Sequence, residues 1–454
     1  MKWKVLLFGF VFATMLSACN ASPAAEAVNL TATPLPEPTA TSIPSEQAQE
    51  ATSLPPAASD APILWAVPAH RLDGNRLVEG QGRLPDATPR DLSLNGTPNW
   101  VVAAPLGDDT LWVVVLNTGE VQAFRLNSEQ VQSVALNVDQ LPAGMPPLLR
   151  MQGEQAELIV PPEDASNRSH PTPLPDGRLV YVAGSGDLVI WDGETELGRI
   201  ADLNLQPDAR LLVDEAGRIL TQTQATDRYA HGIMGDDLEG GEIALFDQGG
   251  GLLWTVGAEP PFVFEAISPI WEDLNNDGQR DIVATRAGPG SGAQLVVFDE
   301  RGDEVATGEP IGQGNRWRHK IAVGPFGPNG EVELVDVLTP HLGRVAEFFQ
   351  WQGDRLVRVA DVPGYTTHII GSPNLDMGIA GDFNGDGQIE LVAMNPDSTE
   401  LAGIQRTVNG AAAIWQVPVG GRISSNLAAV QDVEGRLWLA VGHRDGVLRI
   451  WGTE

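Results

Sequence analysis

Cysteine occurs once in this chain, at Cys19, so no disulfide can form within it. Basic residues are few: 28 Lys and Arg stand against 60 Asp and Glu, and the resulting net charge of −32 argues against nucleic acid and anionic lipid surfaces as partners. Helical periodicity is scarce after residue 61, which excludes a helical bundle or an alternating βαβ plan. Catalytic signatures are missing as well. There is no G-x-S-x-G, no H-E-x-x-H and no phosphate-cradling glycine loop, and no cysteine is available as a nucleophile. The seven histidines (70, 170, 231, 319, 341, 368 and 443) are dispersed, with no pair four residues apart. The expectation is a protein that binds rather than catalyses.

The amino terminus sets the compartment. Lys2 and Lys4 precede the apolar run "VLLFGFVFATML", which ends in "LSAC" at Cys19, a signal-peptide pattern too short for a comfortable membrane span. The small residues before Cys19 resemble the lipobox of bacterial lipoproteins. That resemblance implies cleavage after residue 18, a lipid on Cys19 and attachment to a membrane from the extracytoplasmic side. Residues 20–60, including "TATPLPEPTATSIPSEQAQEATSLPPAASD", hold almost nothing large and apolar, so burial cannot offset the entropy of ordering them. A tether of this kind, at about 3.1 Å per residue, reaches on the order of 100 Å when extended. The expected organisation is a signal at 1–18, a lipidated tether at 19–60 and a monomeric globular body at 61–454.

Within that body, apolar runs of four to seven residues alternate with Gly, Asp, Asn and Pro turns, an all-β pattern. Compare "GEIALFDQGGGLLWTVGA" (241–258), "AQLVVFDERGDEVATGE" (293–309) and "NGAAAIWQVPV" (409–419). The recurring unit, a turn followed by short strands, is the pattern of a β-propeller blade. Gly107, Gly177, Gly217, Gly278, Gly330, Gly387 and Gly435 mark the inner turns and predict seven blades, with six or eight as the neighbouring counts. A propeller must join its last blade to its first without a bare edge. "ILWAVPA" at 63–69 looks like "AIWQVPV", so 63–69 is expected to complete the blade that ends at Trp451. The recurrent Trp65, Trp191, Trp254, Trp415 and Trp451 are read as packing between blades.

Two turns stand out. "DLNNDGQRDIVA" (273–284) and "DFNGDGQIELVA" (382–393) place oxygen ligands at positions 1, 3, 5 and 9 and glycine at position 6. The side chains are Asp273, Asn275, Asp277 and Asp281 in one loop, and Asp382, Asn384, Asp386 and Glu390 in the other. The backbone carbonyls of Gln279 and Gln388 are the expected ligands at position 7. Six or more oxygens at about 2.3–2.6 Å suit a hard dication such as calcium, whereas zinc and copper prefer nitrogen and sulfur. An EF-hand is excluded, because position 12 is Ala284 or Ala393 and the flanks read as strands. What remains resembles the FG-GAP and VCBS repeats of calcium-binding propellers, including those of integrin α subunits. The resemblance implies a structural calcium in each loop and a role in adhesion to protein or glycan partners.

Other blades depart from the motif. "GPFGPNGEVELVDV" keeps the phase but has Pro325 for the first aspartate and Asn329 for the third ligand, and Asp176, Asp214 and Asp432 lie near a marker glycine without the other oxygens. One cluster, Arg316, Trp317, Arg318 and His319, runs against the acidic background; it is read as a possible ligand patch, with internal ion pairing as the plainer alternative. The acidic loop "MGDDLEGGE" (234–242) is expected to be solvated. Two further roles are kept beside the adhesion module. "IALFDQGGGLLWTVGAEP" looks like a blade of the pyrroloquinoline-quinone type, which would suit a quinoprotein-like scaffold lipoprotein in envelope assembly. A propeller enzyme acting on polysaccharide or sugar is the other.

Overall fold

The computed structural model describes residues 52–54, 61–127 and 129–452. The expected signal peptide, Cys19 and most of the tether lie outside the described residues. Thr52–Ser53, inside the segment read as tether, pairs in parallel with Val134–Ala135 at the edge of a sheet.

The described residues form β-sheets and no helix. Hydrogen bonding gives seven sheets, the largest of which has eight strands. Its two four-stranded halves, Val263–Thr307 and Arg318–Pro363, meet only at the parallel pair Thr307–Arg355, so each half is a blade. We number the blades around the ring by their inner strands. Blade 1 begins with Pro98–Leu106, and blade 2 is the three-stranded sheet of Ile63–Ala66, Leu149–Gln152 and Gln155–Leu158. Blades 3 to 8 begin at Thr172, Leu212, Val263, Arg318, Ile379 and Ile423.

Side-chain alternation closes this ring. In Asp109–Leu116 of blade 1, Leu111, Val113 and Val115 pack with Leu149 and Met151 of blade 2, while Trp112 and Val114 pack with Trp438 and Ala440 of blade 8. A strand buried on both faces needs apolar residues in succession, which explains runs such as "LWVVVL". Equivalent clusters join every consecutive pair from blade 2 to blade 8. The fold is a β-propeller, and the repeated tryptophans sit in these seams: Trp191, Trp415 and Trp451 are buried, and Trp65 and Trp254 are partly so.

All seven marker glycines have positive φ and turn the first strand of a blade into the second. The three-stranded sheet has its own hairpin glycine, Gly153, outside the seven markers; with the eight-stranded sheet divided into its two halves, the seven hydrogen-bonded sheets give eight blade-like units among the described residues. The expected closure is corrected in one respect. Ile63–Ala66 pairs with Leu149–Gln152 of blade 2, and the strand that completes the blade ending at Trp451 is Pro89–Ser93. An outermost strand faces solvent on one side, so "PRDLS" carries Arg90 and Asp91 and lacks the apolar signature sought in 63–69. Its Asp91 pairs with Arg449 at 2.6 Å.

At the centre, charge replaces hydrophobic packing. Asp376 is buried and accepts hydrogen bonds from Arg76 Nε (2.7 Å) and from both terminal nitrogens of Arg210 (2.9 and 2.7 Å). Burial alone would raise this carboxyl; the two guanidiniums outweigh it and hold the group far below the usual carboxylate range.

Candidate metal centre

Both acidic loops join the first and second strands of a blade: 273–281 links Val263–Glu272 to Asp281–Gly288, and 382–390 links Ile379–Asp382 to Glu390–Met394. Short polar side chains that bond to nearby backbone amides coil such turns. The two coils share most of their bonds, though Asp273 Oδ1 accepts from Asp277 N where Asp382 Oδ1 accepts from Gly385 N. Asp273 Oδ2 accepts from Gly278 N and Asp382 Oδ2 from Gly387 N, at 2.9 and 3.0 Å. Asn275 and Asn384 accept from the amides of Asp277 and Asp386, and these two carboxylates accept from Gln279 N and Gln388 N. At position 9, Asp281 accepts from Leu274 N and Glu390 from Phe383 N, at 3.0 and 2.8 Å. Position 4 has positive φ in both, Asn276 in one and Gly385 in the other.

They differ at the centre of the coil. In the second loop one carboxylate oxygen each from Asp382, Asp386 and Glu390 lie within 4.8 Å of one another, the only such group of three among the described residues. Asp281 is one methylene shorter than Glu390, and the first loop does not gather its carboxylates as closely. Glu390 is fully buried, and its Oε1 has no hydrogen-bond partner. Burial pushes its carboxyl up to about 8, with Asp382 and Asp386 adding repulsion. Asp281 goes up to about 6 for the same leading reason. An unpaired buried carboxyl oxygen beside two other carboxylates is unfavourable when ionised unless a counter-charge or a proton meets it. The donors are all oxygen, so a hard dication fits and a soft one does not.

The other sequence candidates separate on inspection. Arg316 is half-buried and bonds Asn315 O, while Trp317, Arg318 and His319 are buried at the start of blade 6. Arg318 pairs with Asp336 (2.9 Å) and Glu347 (2.6 Å), so the cluster is an internal ion pair and not an exposed ligand patch. Strand register explains this: Arg318–Gly324 is the inner strand of its blade and is buried along its whole length. In the 234–242 loop, Met234 and Glu239 are buried, contrary to the solvated expectation, and Met234 packs with Ile233 against Trp317 and Leu375.

Sequence reasoning did not find the groove on the same face as the acidic loops. Trp65, Arg71, Asp73, Pro173, Asp214 and Arg280 border about 790 Å³ there. Arg280 is position 8 of the first acidic loop and bonds Trp271 O (2.6 Å), Asp73 (3.3 Å) and Glu215. The groove therefore abuts a candidate cation site.

No protein-family model matches the chain, and no curated protein matches it. Solved structures similar to it include a mitotic checkpoint complex, with 15% identity over 81% of this chain and 96% of that chain and a TM-score of 0.44. The WD40 domain of Toxoplasma gondii coronin is similar at 9% identity, over 83% and 88% of the two chains, with a TM-score of 0.42. A europium-containing methanol dehydrogenase is similar at 9% identity, over 82% and 88%, with a TM-score of 0.48. None of these identities carries a function across.

Proposed function

We propose that the chain is an extracytoplasmic, lipid-anchored β-propeller that binds calcium in its acidic loops and holds a protein or glycan partner without turning it over. The observation that carries this reading is the buried Glu390, whose Oε1 is unpartnered beside Asp382 and Asp386. Calcium there would take the carboxylates of Asp382, Asp386 and Glu390, the side-chain oxygen of Asn384 and the carbonyl of Gln388. Asp273, Asn275, Asp277, Asp281 and the carbonyl of Gln279 form the matching set. Its work is structural: it neutralises carboxylates that repel one another and adds the free energy of binding to that of folding. Attachment through Cys19 and the tether at 20–60 would set the propeller away from the membrane. The groove of about 790 Å³ has the size of a small-ligand or glycan-end site and mixes aromatic, apolar and charged side chains.

The test is thermal unfolding in excess calcium, excess magnesium and chelator. A rise in melting temperature selective for calcium, abolished by Glu390→Gln together with Asp277→Asn, is the expected result. Identical melting in all three conditions would reduce both loops to plain turns and remove the calcium reading.

A further inference from the structure

Blade 2 is incomplete on the side that faces the axis. Glu154, in its Gly153 hairpin, pairs at 3.6 Å with Arg125, which also pairs with Asp109 just past the Gly107 hairpin of blade 1, so the two hairpins lie on the face of the acidic loops. Leu149–Gln152 therefore runs as a first or third strand runs, and Ile63–Ala66, antiparallel to it, runs as a second. Yet Ile63–Ala66 is the strand of this blade nearest the axis: Leu64 and Ala66 share a cavity of about 590 Å³ with Val101, Ala103 and Ala429, on the inner strands of blades 1 and 8. In a blade whose strands alternate in direction, the three strands fill the second, third and fourth positions and leave the first open. Exposure agrees, since Ile63 and Leu64 are each 42% exposed where the inner strand of blade 6 is buried throughout.

We propose that the open first position of blade 2 receives an extended peptide of a partner protein, added as a strand antiparallel to Ile63–Ala66, in which basic side chains alternate with apolar ones. This deepens the binding reading above and rests on it for the existence of a partner, not for calcium. Ladder parity supplies the backbone contacts. Ile159 N donates to Leu148 O at 3.0 Å, so the backbone groups of Arg150 and Gln152 bond outward, and those of Leu149 and Met151 bond inward to Ala66 and Leu64. The N–H and C=O of Trp65 then point at the axis, and nothing among the described residues bonds them. At the outer edge the same groups of Leu158 are taken by the Asn137 side chain, at 2.8 and 2.9 Å. The outer edge is capped there, and the inner one is open to strand addition.

The two faces of the inserted strand decide its side chains. Towards blade 1 it meets Val101, Ala103 and Ala429, which suit apolar residues. Towards blade 3 the groove of about 790 Å³ sets Asp73, Asp176, Asp214 and Glu215 against Arg71 and Arg280, an acidic excess in a chain of net charge −32. Asp176 and Glu215 are exposed, and their pairs with Arg178 and Arg280 are surface pairs that exchange partners at little cost. Residues opposite one another in a ladder carry their side chains on the same face. Trp65 packs with Tyr181 and Trp191 of blade 3, so the residue opposite Trp65 is a basic one, and its N–H and C=O close the ladder.

The experiment is fluorescence anisotropy of a labelled, end-capped hexapeptide of alternating valine and lysine, titrated with the full chain in saturating calcium. The expected result is saturable binding at least tenfold tighter than that of the valine–glutamate counterpart, weakened at least tenfold by N-methylation of the lysine amides and spared by N-methylation of the valine amides. Asp176→Lys with Glu215→Lys is expected to weaken it at least tenfold and, both positions being exposed, to melt like the parent; should that variant unfold, the methylated peptides decide alone, since they leave the protein unchanged. No binding, equal binding of the lysine and glutamate peptides, equal loss with either methylation, or binding of cellopentaose in place of the peptide would each overturn the proposal. Because calcium fills the acidic loops throughout, failure here leaves the calcium reading standing, and identical melting in calcium and chelator leaves this one standing.

Discussion

The 382–390 loop of blade 7 and the 432–436 turn of blade 8 occupy the same place in adjacent blades, but the first leaves a buried carboxyl oxygen, on Glu390, without a partner and the second leaves none on Asp432. Asp432 is closed from within the chain: it accepts from Glu434 N, Arg436 N, Arg436 Nε and Trp438 Nε1, at 2.8 to 3.0 Å. Asp214 in blade 4 repeats this device with Ala216 N, Arg218 N and Arg218 Nε. Blade 6 shows the same solution at position 9. Its loop has lost the first and third ligands to Pro325 and Asn329, and Glu333, in register with Glu390, meets Arg406 of blade 7 at 2.8 and 3.2 Å. In these three turns a guanidinium meets the carboxylate. Where it is absent, at Glu390, one carboxyl oxygen has no partner and burial pushes the group up to about 8; under the calcium proposal a bound dication would supply the missing charge.

That contrast can be broken most severely at Arg406. Arg406→Gln leaves Glu333 buried without its cation, and removing one partner of a buried pair costs about 3–5 kcal/mol. Urea denaturation is expected to show the same loss in calcium and in chelator; a loss that calcium restores would mean that blade 6 also takes metal. Next in size is metal removal itself. Each loop filled at a hundred times its dissociation constant contributes about 2.7 kcal/mol, measurable as the difference in unfolding free energy with and without chelator. Arg436→Gln is expected to cost only about 0–1 kcal/mol, since this arginine is partly exposed and Asp432 keeps three other donors.

The two acidic loops sharpen the comparison further. Asp281→Glu restores the methylene that the first loop lacks, and is expected to raise its calcium affinity severalfold by calorimetry, with the second loop unchanged. An equal or lower affinity would show that reach at position 9 does not distinguish the loops. The smallest effect is in pH. Metal-free Glu390 has its pKa raised to about 8 from 4.5, so the folded chain holds a proton that the unfolded chain releases. This contribution is complete below about pH 4.5 and is lost as pH rises through 8. In chelator the melting temperature is expected to fall over that window in the parent more than in Glu390→Gln, and calcium is expected to flatten the difference. Matching slopes in the two proteins would contradict the burial of an unpaired carboxyl.

The two coiled turns were legible because Asp and Asn at fixed offsets bond to nearby backbone amides, and the coil at 382–390 brings Asp382, Asp386 and Glu390 together. Marker glycines were legible for the same local reason: Gly278 and Gly387 both turn with positive φ. Closure by Pro89–Ser93 was hidden, since an outer edge strand needs hydrogen bonds rather than apolar side chains, and "PRDLS" looks like a loop. The Arg316–His319 cluster was misjudged as a possible surface patch because composition does not reveal which strand of a blade is innermost. His341 and His368 could not have been paired from spacing; they meet because two connections emerge on the same face of the ring.

The most direct test of the central claim is calcium titration of chelator-treated protein by calorimetry, comparing the parent, Glu390→Gln, and Glu390→Gln with Asp277→Asn. The account predicts two sites, then one, then none, with the tighter site lost first. Absence of calcium binding in the parent, or two sites persisting after Glu390→Gln, would contradict it.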